Sequence, residues 1–469
     1  MDSGPSPTWR PTLARLILIN RYFHPDEAAT SQVATTLSSA LAERGWAVHV
    51  VTSRQLYGDA DANLAAADRL RAVHIHRIWT TRMGRSRLLG RALDYTTFYA
   101  SAFLWLLRYA RQGDVFVALT DPPLISVASA LAARMRGCTH VNWLHDLFPE
   151  IAGVLGILPC RICHWMLTRL RNWSLRCSQM NVAIGEGMAD RLASQGLPAN
   201  RIAVIHNWSD ASNISPVAAM NNQLRTAWGL SDKFVVGYSG NLGRAHDPQT
   251  ILKAAEILRH DEEIRFLFIG GGHFFKVLEA EAHRRGLTNV IFKPYQPKDQ
   301  LSDSLSVADL HLISLLPKLE GLIVPSKFYS VAAAGRPTIF IGDRSGEIPR
   351  LLYDAKCGAA VAAGQGASLA HQIERLKGNR ALRTLWGQNA RALLEHRFDQ
   401  RLAVTKWVGL LYRIGPSPRV PYPTELQRPA ATEGQLRRQM PTPVYGGSQM
   451  TAQKEPRVAP GNDIARMSE

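Results

Sequence analysis

Apolar and polar positions alternate along the chain with two periods, and each change of period marks a new element. Leu16–Asn20 is a short apolar run of strand length. Thr30–Glu43 has apolar positions at helical spacing, with Gly45 where a C′ glycine belongs. Ala47–Thr52 predicts a second strand, and Val73–Trp79 opens Val-His-Ile-His, the alternation of a half-buried strand. Leu88–Arg111 predicts a long helix, Asp114–Leu119 a strand, Leu124–Met135 a helix and His140–Leu144 a strand. Helix 161–177, strand 180–184, helix 186–195 and strand 202–206 continue the series. From Asn207 to Asn222 the pattern lapses into polar and small residues, which predicts a linker. It then restarts with strand Phe234–Tyr238, helix 248–259, strand Ile264–Ile269, helix 273–285 and strand Val290–Phe292. Helix 298–306, strand Leu310–Ser314, a short helix near 326–334 and strand Pro337–Ile341 follow, and helices dominate to about Ile414.

Strands alternating with helices predict parallel sheets covered on both faces. The fold class is therefore α/β, with two doubly wound domains, residues 1–208 and 223–398. Beyond Gly415 lie nine of the 26 prolines and few large apolar residues, so residues 415–469 are expected to be a disordered tail.

Composition narrows the function classes. The 469 residues are 46% hydrophobic and 20% charged, enough for two or three domains with real cores. A net charge of +17 attracts phosphate, whether on a nucleotide, an anionic lipid headgroup or a nucleic acid. No lysine block or aromatic single-strand module is present, so nucleic acid is not the expected partner. MDSGPSPTWRPTLAR leads straight into the first strand without a secretory h-region, and no apolar run reaches the roughly 18 residues of a membrane span. A cytoplasmic protein is expected. Its five cysteines are expected to be reduced.

Six segments carry candidate chemistry. Gly237-Tyr238-Ser239-Gly240-Asn241-Leu242-Gly243-Arg244 follows a strand and precedes a helix, where backbone N–H groups can approach a phosphate and Arg244 can add charged donors. Such a loop also serves as an ordinary strand-to-helix turn. Gly270-Gly271-Gly272 ends a strand where open α/β sheets bind ligands, and a tight turn accounts for it equally well. Glu320-Gly321-Leu322-Ile323-Val324-Pro325-Ser326-Lys327 leads into a small-residue helix. Lys327 and Ser326 there make an anion site, or else Ser326 is an N-cap and Lys327 is solvated. His145-Asp146 lies just beyond a strand end, where catalytic groups gather, although a lone histidine is more often structural. Cys160-Arg161-Ile162-Cys163-His164 has the spacing of c-type haem attachment. Without an export signal, the expected account is two buried thiols on a helix. The stretches Arg82–Arg111 and Arg161–Arg176 mix arginines with Trp and Leu. They suit contact with an anionic membrane, or a core-facing helix with a solvated basic face. Asn207-Trp208-Ser209 is read as a chance sequon.

Taken in order, these segments resemble retaining GT-B glycosyltransferases of glycosyltransferase family 4, in the bacterial branch that builds capsule, exopolysaccharide and O-antigen. Seven segments carry the resemblance across about residues 16–400. They are Arg21–Pro25, His145–Glu150, Val204–Trp208, YSGNLGRAHD, FLFIGGG, Ala308-Asp309 and PSKFYSVAAAGRP. The resemblance implies two Rossmann-like domains facing across a cleft, with the acceptor on the first and the nucleotide on the second. Residues 399–414 would return to the first domain as a helix. It places Gly240, Asn241 and Arg244 at the donor diphosphate, with Gly271 and Gly272 close by. Lys327 and Ser326 would neutralise the leaving diphosphate. Glu320 would face the donor sugar, His145 would sit beside the reacting sugar, and Glu150 or Asp146 would orient it or the acceptor.

Two departures stand out. The loop after Pro25 reads Asp26-Glu27-Ala28-Ala29 where many members carry glycine. Ser330 stands at the position of the second motif glutamate, a ribose ligand in many members. The donor is expected to be a UDP- or GDP-linked sugar, used as substrate with no cofactor and no bound metal. The acceptor is expected to be a glycan or an undecaprenyl-diphosphate-linked sugar, at the inner face of the membrane. Two other readings stay open: a nucleotide-sugar 2-epimerase, and a non-catalytic nucleotide-sugar- or membrane-binding partner subunit.

Overall fold

A computed structural model describes residues 15–84, 88–158, 160–272 and 274–415. Expectations for the tail beyond Gly415 lie outside these residues.

The first eight strands are β1 (Arg15–Ile19), β2 (Ala47–Ser53), β3 (Ala67–Leu70), β4 (Val73–Ile78), β5 (Val115–Ala118), β6 (Thr139–Leu144), β7 (Met180–Ala183) and β8 (Ile202–Val204). They form one sheet in the order β3-β4-β2-β1-β5-β6-β7-β8. Every pairing is parallel except β3 with β4, which is antiparallel at the edge. The register sets Leu18 between Val50 and Val117. Leu16 to Ile19 are fully buried, because helices cover both faces of a parallel sheet. The edge strand β3 (Ala-Asp-Arg-Leu) has almost no apolar signal and was not expected.

The second sheet is wholly parallel. It contains β9 (Phe234–Asn241), β10 (Ile264–Gly271), β11 (Val290–Lys293), β12 (Leu310–Ser314), β13 (Thr338–Ile341) and β14 (Gly358–Val361). Its order is β11-β10-β9-β12-β13-β14. β14 (Gly-Ala-Ala-Val) falls where helices were expected, because its small residues show no strand periodicity. Asp309, just before β12, accepts from the Val235 amide at 2.8 Å and the Arg225 guanidinium at 3.0 Å, tying the start of this sheet together.

Helix Gln400–Ile414 packs back on the first sheet. Asp399 caps it, accepting from the Arg401 amide at 2.9 Å. Its buried Trp407 meets Trp143 of β6 edge-on at 4.8 Å, and Tyr412 meets Trp46 at 5.9 Å. Trp208 stacks on Trp143 at 5.8 Å. Asn207 is buried beside it, which removes the sequon from the surface.

Candidate active site

The carboxyl ends of the two sheets approach each other, and the expected residues gather there in three groups. In the second sheet, β9 and β10 run side by side to their glycines, with Gly240 opposite Gly270 and Asn241 opposite Gly271. Gly240 has φ +110°, and a Cβ there would stand 3.0 Å from Lys327 Cε. Gly272 has φ +115°, and a Cβ would lie 2.0 Å from Asn241 Oδ1. Only glycine fits both positions. The ring of Tyr295 closes over Gly271.

Lys327 enters this cradle. Its ammonium donates to the Asn241 carbonyl at 2.6 Å and to the Tyr238 hydroxyl, and lies 4.1 Å from the centre of the Tyr238 ring. Among the described residues no carboxylate pairs with it. Burial pushes its pKa down to about 7. A desolvated cation without a counter-ion, against backbone that only glycine permits, is built to receive an anion. His246 lines the same region, donating from Nδ1 to the Ser314 carbonyl at 2.6 Å. Burial and the neighbouring Lys327 hold its pKa down to about 3.

Of the two readings of Lys327, the solvated one is excluded. Ser326 is exposed and makes no side-chain cap, and helix Lys327–Ala333 has only seven residues. An anion here would meet the lysine and the glycines, not a long helix dipole. Arg244 is exposed on the turn after β9, and Ser330 is half-buried in the seven-residue helix.

The second group comes from the first sheet. His145 follows β6 and packs against Trp143 at 4.9 Å. It is buried, its Nε2 has no partner among the described residues, and burial holds its pKa down to about 4. His145 is thus a neutral imidazole at physiological pH. Burial, with Asp121 nearby, pushes Asp146 up to about 6. Glu150 pairs with the buried Arg171, so it positions this segment and does not face the cleft as a free carboxylate. The adjoining cavity, bordered by Asn142 and Asp146, is about 20 Å³. It has room for a water and not for a sugar ring.

The third group joins the two sheets. Asp146 pairs with Ile323 as an isolated antiparallel bridge, and the Leu147 amide donates to the Leu322 carbonyl at 3.0 Å. The His145 segment therefore docks directly on the loop that begins at Glu320. Glu320 accepts from the Glu347 amide at 2.8 Å. Burial, reinforced by the Glu347 and Asp343 carboxylates, raises its pKa. Glu347 crosses between the sheets, accepting from the Gly187 amide at 3.2 Å and lying 3.3 Å from His206 Nε2. A Cβ at Gly185 would lie 2.2 Å from this carboxylate, so that glycine makes room for it. At the rim, Lys298 reaches Glu27 of the first loop at 3.4 Å.

Tyr238, His246 and Glu347 were not singled out from the sequence. The first two lie within YSGNLGRAHD and were hidden in a segment read for its glycines. Glu347 follows Gly346 at a helix start, but its partners lie far away in the chain.

The family model described as Glycosyltransferase Family 4 matches residues 30–213, and the one described as Glycosyl transferases group 1 matches residues 221–393. The chain is 27% identical over 297 residues to WbjE of Pseudomonas aeruginosa, assigned as a glycosyltransferase; the match covers 63% of this chain and 74% of that one. It is 24% identical over 350 residues to WcaI of Escherichia coli (strain K12), assigned to colanic acid biosynthesis as a glycosyl transferase, covering 72% and 85%. The fold is similar to that of Anabaena Alr3699/HepE, solved in complex with UDP and glucose, with a TM-score of 0.65 at 16% identity, covering 85% of this chain and all (100%) of that one.

Proposed function

Because the chain belongs to glycosyltransferase family 4 and has the GT-B fold, we propose that it moves a sugar from a nucleoside-diphosphate sugar to a lipid-linked glycan acceptor, with retention, in surface polysaccharide biosynthesis. The observation that carries this reading is the uncompensated ammonium of Lys327 in the glycine cradle of Gly240 and Gly272. A diphosphate supplies the missing charge.

The chemistry follows from the charges. The bond from the sugar's anomeric carbon to the β-phosphate oxygen breaks, and a bond from the acceptor hydroxyl oxygen to that carbon forms on the same face. The hydroxyl proton passes to the departing phosphate oxygen. Lys327 stabilises the charge growing on that phosphate. His145 is neutral, so it can hydrogen-bond a sugar hydroxyl without competing for the proton. Glu320 offers a carboxylate to the donor sugar while its other role, holding the Glu347 amide, fixes its position.

The acceptor side suits a lipid. Helices Leu88–Tyr109, Ile125–Arg136 and Arg161–Cys177 pack side by side. They leave Leu104, Leu131, Met135, Trp165, Met166 and Leu170 exposed, among the exposed Arg108, Arg134 and Arg169. Apolar side chains interspersed with arginines fit an anionic headgroup region. Among the described residues no helix is long and apolar enough to cross a membrane.

Incubation with UDP- and GDP-linked sugars and a polyprenyl-diphosphate sugar tests the reading, with the product's anomeric configuration read by NMR. A glycoside with the donor's configuration is expected. An inverted glycoside, a free epimer or no product contradicts it.

A further inference from the structure

We propose that Cys160 and Cys163 form a redox-active dithiol that closes to an intramolecular disulfide by exchange with low-molecular-weight disulfides. This is a modification site separate from the glycosyl-transfer centre. The two residues do not lie buried within a helix, as their sequence neighbourhood suggested. Helix Arg161–Cys177 starts one residue later than Cys160, so Cys160 is its N-cap and is exposed, and Cys163 is half-buried in the first turn. The Cys160 sulfur accepts from the Cys163 amide at 3.2 Å, as a capping serine oxygen would. The two sulfurs lie 2.9 Å apart. Closing to a disulfide bond of about 2.05 Å needs a movement of roughly 1 Å in an exposed turn.

The chemistry is asymmetric. The Cys163 side chain and then the Cys163 amide hydrogen-bond to Cys160 and lower its pKa, while the same contact raises that of Cys163. Cys160 is the attacking thiolate and Cys163 the resolving thiol. The Cys160 thiolate, its proton lost to solvent, attacks one sulfur of the small disulfide and expels the first thiolate. Cys163 then loses its proton and attacks Cys160 Sγ, expelling the second. Two protein thiols become one disulfide, two electrons pass to the small disulfide, and it leaves as two thiols. Elsewhere burial pushes Cys138 up to about 11 and Cys357 up to about 12, so neither competes.

The pair has structural reach. Between the two cysteines lies Ile162, 69% exposed, and Trp165 follows in the same turn, so a disulfide fixes the start of the apolar, basic face described above. The neighbouring His164 packs where a Cβ at Gly153 would stand, 3.0 Å from its Cδ2, and Arg171 on the same helix holds Glu150.

The full-length reduced protein is exposed to oxidised glutathione, quenched, alkylated and mapped by mass spectrometry. Two of the five thiols should become inaccessible and reappear as one 160–163 disulfide, reversed by dithiothreitol. Cys163→Ser should instead accumulate a glutathione mixed disulfide at Cys160. Cys160→Ser, which keeps a capping oxygen and so keeps the helix start, should form an adduct at Cys163 at least about ten-fold more slowly. The proposal is overturned if all five thiols stay alkylatable in a buffer that oxidises dithiothreitol in a parallel tube. Mixed disulfides without the internal bond, or equal rates in the two variants, overturn it as well.

Discussion

The two sheet ends that meet at the cleft are built in opposite ways. At the end of β9 and β10, backbone geometry does the work. Positive φ at Gly240 and Gly272, and the absence of any Cβ, leave a cradle into which one ammonium is pressed. At the end of β6, side chains do the work. An aromatic cluster of Trp208, Trp143 and Trp407 supports His145, and apolar side chains lie exposed on the neighbouring helices. Under the proposed function the first end takes a diphosphate, a group common to all nucleoside-diphosphate sugars, so rigid backbone suits it. Under the same proposal the second end takes the acceptor, and side chains on helices can vary with it without disturbing a sheet.

The contrast is broken most severely at Lys327. Lys327→Met keeps the length of the side chain and removes the charge. Transfer should fall by about 100-fold or more, measured as kcat/KM for the donor. Glu320→Gln keeps the acceptor for the Glu347 amide and removes only the charge, so the fold should be unchanged by circular dichroism. Transfer should fall by roughly 10-fold or more with little change in nucleotide affinity. A large change in affinity would move Glu320 from the sugar to the nucleotide.

The pH dependence sharpens the same comparison. Lys327 carries its charge below about 7 and loses it above. The donor KM should therefore rise as pH increases from 6 to 9, and donor binding should take up protons near neutral pH. His145, held down to about 4, remains neutral throughout that range and should add no second inflection. The smallest effect is expected on the acceptor side. Replacing Leu104 and Trp165 with Gln should weaken flotation with anionic vesicles several-fold, since side chains at a headgroup interface are only partly withdrawn from water. Transfer to a water-soluble acceptor should be unchanged.

Much of this was legible in the sequence, and the gaps have physical causes. Parallel strands buried on both faces read as apolar runs, so β1, β10 and β12 stood out. β3 and β14 did not, because their residues are charged or small. The glycine turns and Lys327 were visible as patterns, but a solvated lysine had the same letters. Only the packing of Tyr238 and Asn241 around the ammonium separates the two. Glu347 was invisible because its meaning lies in Gly187 and His206, which no local pattern connects to it. Cys160 looked buried because its neighbours are helical and apolar, yet the helix begins after it and the cap is exposed.

The central claim is that Lys327 and the glycine cradle form a nucleoside-diphosphate site, and calorimetric titration with UDP and GDP tests it most directly. The wild-type protein should bind one of them, and Lys327→Met should bind the same nucleotide at least about ten-fold more weakly, a loss of about 1.4 kcal/mol or more. Equal binding by both proteins, or binding of neither nucleotide by the wild type, would contradict the account.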